Sequence, residues 1–169
     1  MTIGELARGV VMAGIADASI DARLPRLAGY LLFGASDASL PAVRALTDTL
    51  RARDGNPPPL IAIDQEGGVV MRLRNGVEPM PPMMALGAAN DLELAGRAGD
   101  QVAFDLRRAG ITLDFAPVLD LALEPGNTVI GTRSIGADPS RVAALGSVFA
   151  RGLQRGGVQP CYKHFPGHG

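Results

Sequence analysis

Both histidines of the chain fall in one run, Lys163-His164-Phe165-Pro166-Gly167-His168-Gly169. Three chemistries suit it. Paired imidazoles can ligate a metal, but the i, i+4 spacing of His164 and His168 needs one face of a helix, and Pro166-Gly167 between them prevents that helix. No Glu follows His164 as it would in the zincin helix. A desolvated Lys163 at a strand end could form a Schiff base with a carbonyl substrate, giving a lyase or aldolase. The third chemistry is hydrogen bonding by Lys163 and His164 to a neutral polar ligand such as a sugar, whose buried hydroxyls each need a partner.

Other polar residues gather where apolar runs end. Ile63 is followed by Asp64-Gln65-Glu66-Gly67-Gly68, and Arg72 comes eight residues after Asp64. Burying Asp64 is costly unless it is paired, and the two glycines let the backbone turn sharply beside a ligand. On the local pattern, Asp64 either faces a ligand with Arg72, or caps the following turn and is neutralised by Arg72. A second run, Asp114-Phe115-Ala116-Pro117-Val118-Leu119-Asp120, holds two carboxylates six residues apart. They could serve as acid and base. The plainer reading is a buried Asp114 bonded to neighbouring backbone, with Asp120 a loop or turn residue. The next loop contains Asn127 and Gly131-Thr132-Arg133-Ser134-Ile135-Gly136, in which the planar fork of Arg133 suits hydroxyl or carboxylate recognition.

The elements that must position these groups are strands alternating with helices. After a short helix over 3–8, strands are expected at 10–14, 29–33, 60–63, 111–115 and 158–162, the last weakened by Pro160. Ser39 and Pro41 open a helix reaching about Arg53, with Val43, Leu46, Thr47 and Leu50 in one stripe. Asn90 is the expected cap of a helix to about Ala109 that buries Ala95, Ala98, Val102, Leu106 and Ala109, with Gly110 as its stop. Asp138-Pro139 starts a third, which buries Val142, Leu145, Phe149 and Leu153 and ends at Gly156-Gly157. The stretch 78–84 reads as a structured loop. Alternation with buried-type strands implies a parallel sheet. No dinucleotide fingerprint follows the first strand. A (β/α)8 TIM-type barrel fits better, and a barrel places its active site at the C-terminal strand ends. It needs about 250 residues and eight strands. The expectation is therefore one incomplete barrel domain over residues 1–169, holding about the first five strands.

Composition narrows the partners. Apolar residues make up 47% of the 169, enough for a core, and 16 Lys+Arg stand against 17 Asp+Glu without any like-charged block. No nucleic-acid surface is expected. The apolar runs fall short of the roughly 20 residues that span a bilayer, and residues 1–16 do not read as a signal peptide. The single Cys161 rules out an intramolecular disulfide framework and fits a reducing compartment. A cytoplasmic protein without membrane partners is the expectation.

Taken in order, 63–68, 114–120, 130–134 and 163–169 resemble the corresponding motifs of glycoside hydrolase family 3, in its bacterial β-N-acetylhexosaminidase branch. The Pro-Gly-His-Gly ending favours that branch over the β-glucosidases. The resemblance implies a barrel, retaining hydrolysis of terminal β-linked N-acetylglucosamine, and action on muropeptides in cell-wall recycling. It implies substrate contacts by Asp64, Arg72, Arg133, Lys163 and His164, and neither metal nor organic cofactor. Val69 stands where the family often has Arg, which puts one contact in doubt. The family's acid/base His and nucleophilic Asp are expected beyond Gly169, so no catalytic residue is assigned within the chain. His168 precedes the acid/base loop. These 169 residues alone are expected not to hydrolyse substrate. The alternatives are the Schiff-base enzyme and a non-catalytic sugar-binding fragment. The absence of Trp and the 4% aromatic content weigh against the latter, for want of stacking platforms.

Overall fold

The computed structural model describes residues 2–15, 26–33, 38–54 and 57–168. Its elements are α1 (Ile3–Arg8), β1 (Met12–Ile15), β2 (Gly29–Leu32), α2 (Leu40–Asp54), β3 (Leu60–Ile63), β4 (Gln65–Gly67), β5 (Val70–Met71), α3 (Met83–Ala89), α4 (Leu92–Arg108), β6 (Leu113–Asp114), α5 (Pro139–Arg155) and β7 (Gln159–Pro160). Five strands form one parallel sheet in the order β1-β2-β3-β6-β7. The β4–β5 hairpin is a separate antiparallel pair. The fold is thus α/β with a parallel sheet, as the alternation of patterns requires.

The apolar runs become strands because a parallel strand is covered on both faces. Tyr30, Leu32, Ile61 and Ile63 are all within 2% of complete burial. Pro160 is accommodated because the N–H groups donating to β6 come from Gln159 and Cys161, to Thr112 and Asp114 at 2.8 Å each, so a proline between them forfeits no bond to that strand. β6 and β7 are shorter than the runs 111–115 and 158–162. Their flanks still donate in register, as Phe115 does to Ile63.

The helices bury the expected stripes. Val142, Leu145, Phe149 and Leu153 of α5, and Ala95, Val102 and Leu106 of α4, are core residues, while Ala98 is half-buried. Thr47 of α2 is fully buried and donates to the Ala109 carbonyl at 2.9 Å, which compensates its hydroxyl. α4 and α5 approach backbone to backbone: a Cβ on Gly99 would strike the Phe149 carbonyl, and one on Gly152 the Gly96 carbonyl. Hydropathy carries no trace of that contact. The cap of α4 is Asp91, whose carboxylate accepts from Glu93 and Leu94 N–H. Asn90, in a left-handed conformation, instead closes α3, which begins in the last two residues of the stretch 78–84 read as loop. Among the described residues, no helix is long and apolar enough to cross a membrane.

Candidate functional site

The C-terminal ends of β3, β6 and β7 lie side by side because Ile63 pairs with Asp114 and Asp114 with Pro160. Beyond them the chain turns from apolar to charged. After β3, Asp64 and Glu66 are two residues apart, so an extended backbone points them the same way. Gln65 between them points away, and its amide is fixed by the Leu73 N–H and carbonyl at 3.0 and 2.7 Å. Gly67 and Gly68, with φ of 97° and 57°, then turn the chain into β5.

Lys163 follows β7 and forms a parallel bridge with Val118. Its Nζ lies 2.5 Å from Asp64 Oδ1 and 2.5 Å from Glu66 Oε1. Arg133 ends a short 3-10 turn, Gly131–Arg133. Asn127 braces the preceding chain by accepting from Val129 and Ile130 N–H. The Arg133 fork grips Glu66 through Nε at 2.7 Å and Nη2 at 2.8 Å, while Nη1 donates to the Val129 carbonyl. Its Nη2 also meets His164 Nε2 at 3.2 Å, and His164 Nδ1 meets Asp120 Oδ2 at 2.5 Å. Six side chains thus form one chain of contacts from Asp64 to Asp120. The Lys163–His164, Ala116–Pro117 and Phe165–Pro166 peptides are cis.

Glu66 and Asp120 are 1% exposed, and burial alone would push both carboxyls up. Hydrogen bonds from Arg133 and Lys163 outweigh that for Glu66, and bonds from His164 and His168 do so for Asp120, so both sit below the ordinary carboxylate range. Asp114 is the opposite case. It is fully buried, and burial holds it well above that range despite the 2.9 Å bond from Gln65 N–H to Oδ1. Its Oδ2 has no partner.

Of the residues singled out in the sequence, Asp64, Arg133, Lys163 and His164 meet. Arg72 joins only through its backbone N–H, which donates to the Asp64 carbonyl at 3.3 Å, and its Nε is buried without a partner. The cation that neutralises Asp64 is Lys163, not Arg72. Glu66, at the centre of the network, is not among the candidate residues that the sequence offers, although its period-two relation to Asp64 is visible there. Asp120 is more than a loop residue, since it holds the His164 ring. Asp114 is a buried carboxyl bonded to backbone, though that backbone lies 49 residues away in sequence.

The hydrogen-bond inventory limits what the site can hold. Lys163 has three N–H groups, two of them committed; Arg133 has five, four of them committed. One donor on each therefore remains, together with Asp64 Oδ2 as an acceptor. Three carboxylates stand against the two fixed cations of the network, so there is no excess positive charge to attract a phosphate or carboxylate. The remaining groups match a neutral ligand with adjacent hydroxyls. A Schiff-base nucleophile must present a lone pair, whereas Lys163 Nζ donates to carboxylates on two sides. A cleft of about 410 Å³ flanks the network on the side of Asp120, Lys163 and His164, walled by Leu119, Leu121 and Tyr162. Among the described residues, no cluster of three His, Cys, Asp or Glu could hold a metal ion.

Comparison with known proteins shows what the whole chain is similar to. The family described as Glycosyl hydrolase family 3 N terminal domain matches residues 17–169. A beta-hexosaminidase of Tolumonas auensis is 41% identical over 169 residues, covering 95% of this chain and 50% of that protein. The structure of a glycoside hydrolase family 3 beta-N-acetylglucosaminidase from Paenibacillus sp. str. FPU-7 superposes with a TM-score of 0.93 at 42% identity, over 100% of this chain and 34% of that one. NagZ from Neisseria gonorrhoeae, in complex with N-trifluoroacetyl-D-glucosamine, gives 0.87 at 38% identity, over 96% and 51%. The chain spans about half the length of the curated relatives it matches.

Proposed function

This chain belongs to glycosyl hydrolase family 3, and from that premise we propose that it is the sugar-binding portion of a β-N-acetylhexosaminidase that removes terminal β-linked N-acetylglucosamine. The observation that carries the proposal is the cross-strand network, whose uncommitted groups are an Asp64 oxygen, one Lys163 N–H and one Arg133 N–H. Asp64 accepts from a sugar hydroxyl while Lys163 and Arg133 donate to the same or adjacent oxygens. Arg72, whose backbone N–H donates to the Asp64 carbonyl, adjoins these groups, and His164 completes the wall. Relatives named for this activity, and a neighbour holding an N-acylated glucosamine analogue, support the substrate class.

The remaining features of the whole protein belong to the same proposal. The five parallel strands follow one another in chain order, as in a (β/α)8 barrel, and residues 1–169 form one part of that barrel domain. The nucleophilic Asp and the acid/base His lie in the length that the relatives have and this chain does not span. Hydrolysis is retaining, through a covalent glycosyl-enzyme, and muropeptides in the cytoplasm are the physiological substrates. The residues described here act by positioning: contacts that tighten in the transition state can contribute several kcal/mol to the rate.

The test is release of the chromophore from an aryl β-N-acetylglucosaminide by the full-length protein. Turnover that falls at least tenfold when Asp64 is replaced by Asn is expected. A folded full-length protein without turnover overturns the proposal.

A further inference from the structure

His164 touches protein through both ring nitrogens. Asp120 Oδ2 is 2.5 Å from Nδ1, and Arg133 Nη2 is 3.2 Å from Nε2. An ionised carboxylate can only accept and a guanidinium can only donate. The two neighbours therefore demand the same state of the ring: a proton on Nδ1 and a lone pair on Nε2. The other tautomer would set a bare Nδ1 against a carboxylate and an N–H against an N–H.

Asp120 is itself held from several directions. Its Oδ1 accepts the His168 backbone N–H at 2.8 Å, and the His168 carbonyl accepts from Asn127 Nδ2 at 2.6 Å. Its main-chain carbonyl accepts from the hydroxyl of the fully buried Ser134, next to Arg133, at 2.7 Å. Asp120 thus joins the chain after β6, the loop bearing Arg133 and the run bearing Lys163 and His164.

We propose that Asp120 is a positioning residue that fixes His164 as the Nδ1–H tautomer, and that His164 is a strut by which Asp120 orients the Arg133 guanidinium. Asp120 stays charged in that role because the bonds from His164 and His168 outweigh the effect of its burial. The strut stands on the geometry alone. Its consequence for turnover rests on the hexosaminidase reading.

The experiment is nitrogen NMR of the full-length protein labelled with ¹⁵N-histidine, without ligand, at neutral pH, with His164 assigned from the spectrum of His164→Gln. A protonated Nδ1 and an unprotonated Nε2 are expected. In Asp120→Asn a single amide oxygen must serve two donors, so the Nε2–H tautomer is expected to appear. Turnover of the aryl β-N-acetylglucosaminide should fall roughly 10- to 100-fold, the range for a lost hydrogen bond to a charged group. Ser134→Ala, which removes hydroxyl bonds to the Asp120 and Gly136 backbone but none to the Asp120 carboxylate, should leave the tautomer unchanged. A wild-type ring protonated on Nε2 overturns the proposal, even if Asp120→Asn does not fold. So does a folded Asp120→Asn with an unaltered tautomer, which would mark a merely structural role. An altered tautomer with undiminished turnover overturns the link to Arg133. Nδ1–H in a wild type without turnover keeps the strut and rejects the hexosaminidase reading instead.

Discussion

Glu66→Gln is the substitution that most directly probes the network. The Glu66 side chain is 1% exposed and takes donors at 2.7 and 2.8 Å from Arg133 and at 2.5 Å from Lys163, which are themselves 15% and 12% exposed. Gln keeps the shape and loses the charge. Its oxygen can accept from one side, but its amide nitrogen must face an Arg133 or Lys163 donor. Removing one member of a buried pair costs about 3–5 kcal/mol, mostly because the remaining charge is left uncompensated.

Acid supplies an internal control. Glu66 titrates below its ordinary 4.5 because the bonds and charges of Arg133 and Lys163 outweigh burial. A carboxyl whose folded value is depressed contributes stability that is complete above its unfolded value and is lost as pH falls through the folded one. The wild-type advantage over Glu66→Gln should therefore be full at neutral pH, begin to close near pH 4.5 and vanish once the wild-type carboxyl is protonated. Urea unfolding of both full-length proteins, followed by circular dichroism across that range, measures the gap. A gap below about 1 kcal/mol at neutral pH, or one that stays constant into acid, would refute the assignment of Glu66 as the charge centre.

Three further outcomes are expected. Asp114→Asn should gain on the wild type as pH rises above 3.8, by about 1.4 kcal/mol per pH unit, because the unfolded chain releases a proton that burial makes folded Asp114 keep. The gain stops at the raised folded value, and a gap independent of pH across denaturation curves contradicts it. Gly99→Ala should destabilise by about 1–3 kcal/mol through the forced separation of α4 and α5, read as a lower urea midpoint at constant m. An unchanged midpoint would show that the helices give way freely. The isolated 169 residues should release no chromophore from the aryl glycoside; measurable turnover by them would place the catalytic groups inside this chain.

Most of the scaffold can be read from the sequence because its signals are local. Leu60–Ile63 is a strand by its apolar run between prolines and a charged turn, and Asp138-Pro139 opens α5 by capping and a preset φ. What escapes depends on pairs distant in sequence. The role of Asp120 follows from a histidine 44 residues away, and that of Glu66 from an arginine 67 residues away. The α4–α5 approach rests on glycines, which carry no hydropathic pattern. Asn90 and Asp91 are adjacent and both suited to helix ends; only backbone geometry shows that the first closes one helix and the second opens the next. Asp64, Arg133, Lys163 and His164 could be singled out because they sit where apolar runs end, but nothing local says which cation meets which anion.

The way those charges meet explains how a polar site can be built on a buried sheet. Each carboxylate at the strand ends would be costly to bury alone. Here Glu66 answers Arg133 and Lys163 together, and Asp120 answers His164 and a backbone N–H. The partners come from separate loops, so satisfying the charges also fixes those loops relative to one another. Once that is done, few groups remain for a ligand, and they are neither all donors nor all acceptors. A hydroxyl can both donate to Asp64 Oδ2 and accept from Lys163, whereas an ether oxygen would leave Asp64 Oδ2 unpaired and a methyl group would leave both unpaired, at a cost of about 1–3 kcal/mol for each group. The bonds that the protein has already used within itself thus set which ligand groups these atoms can pair with.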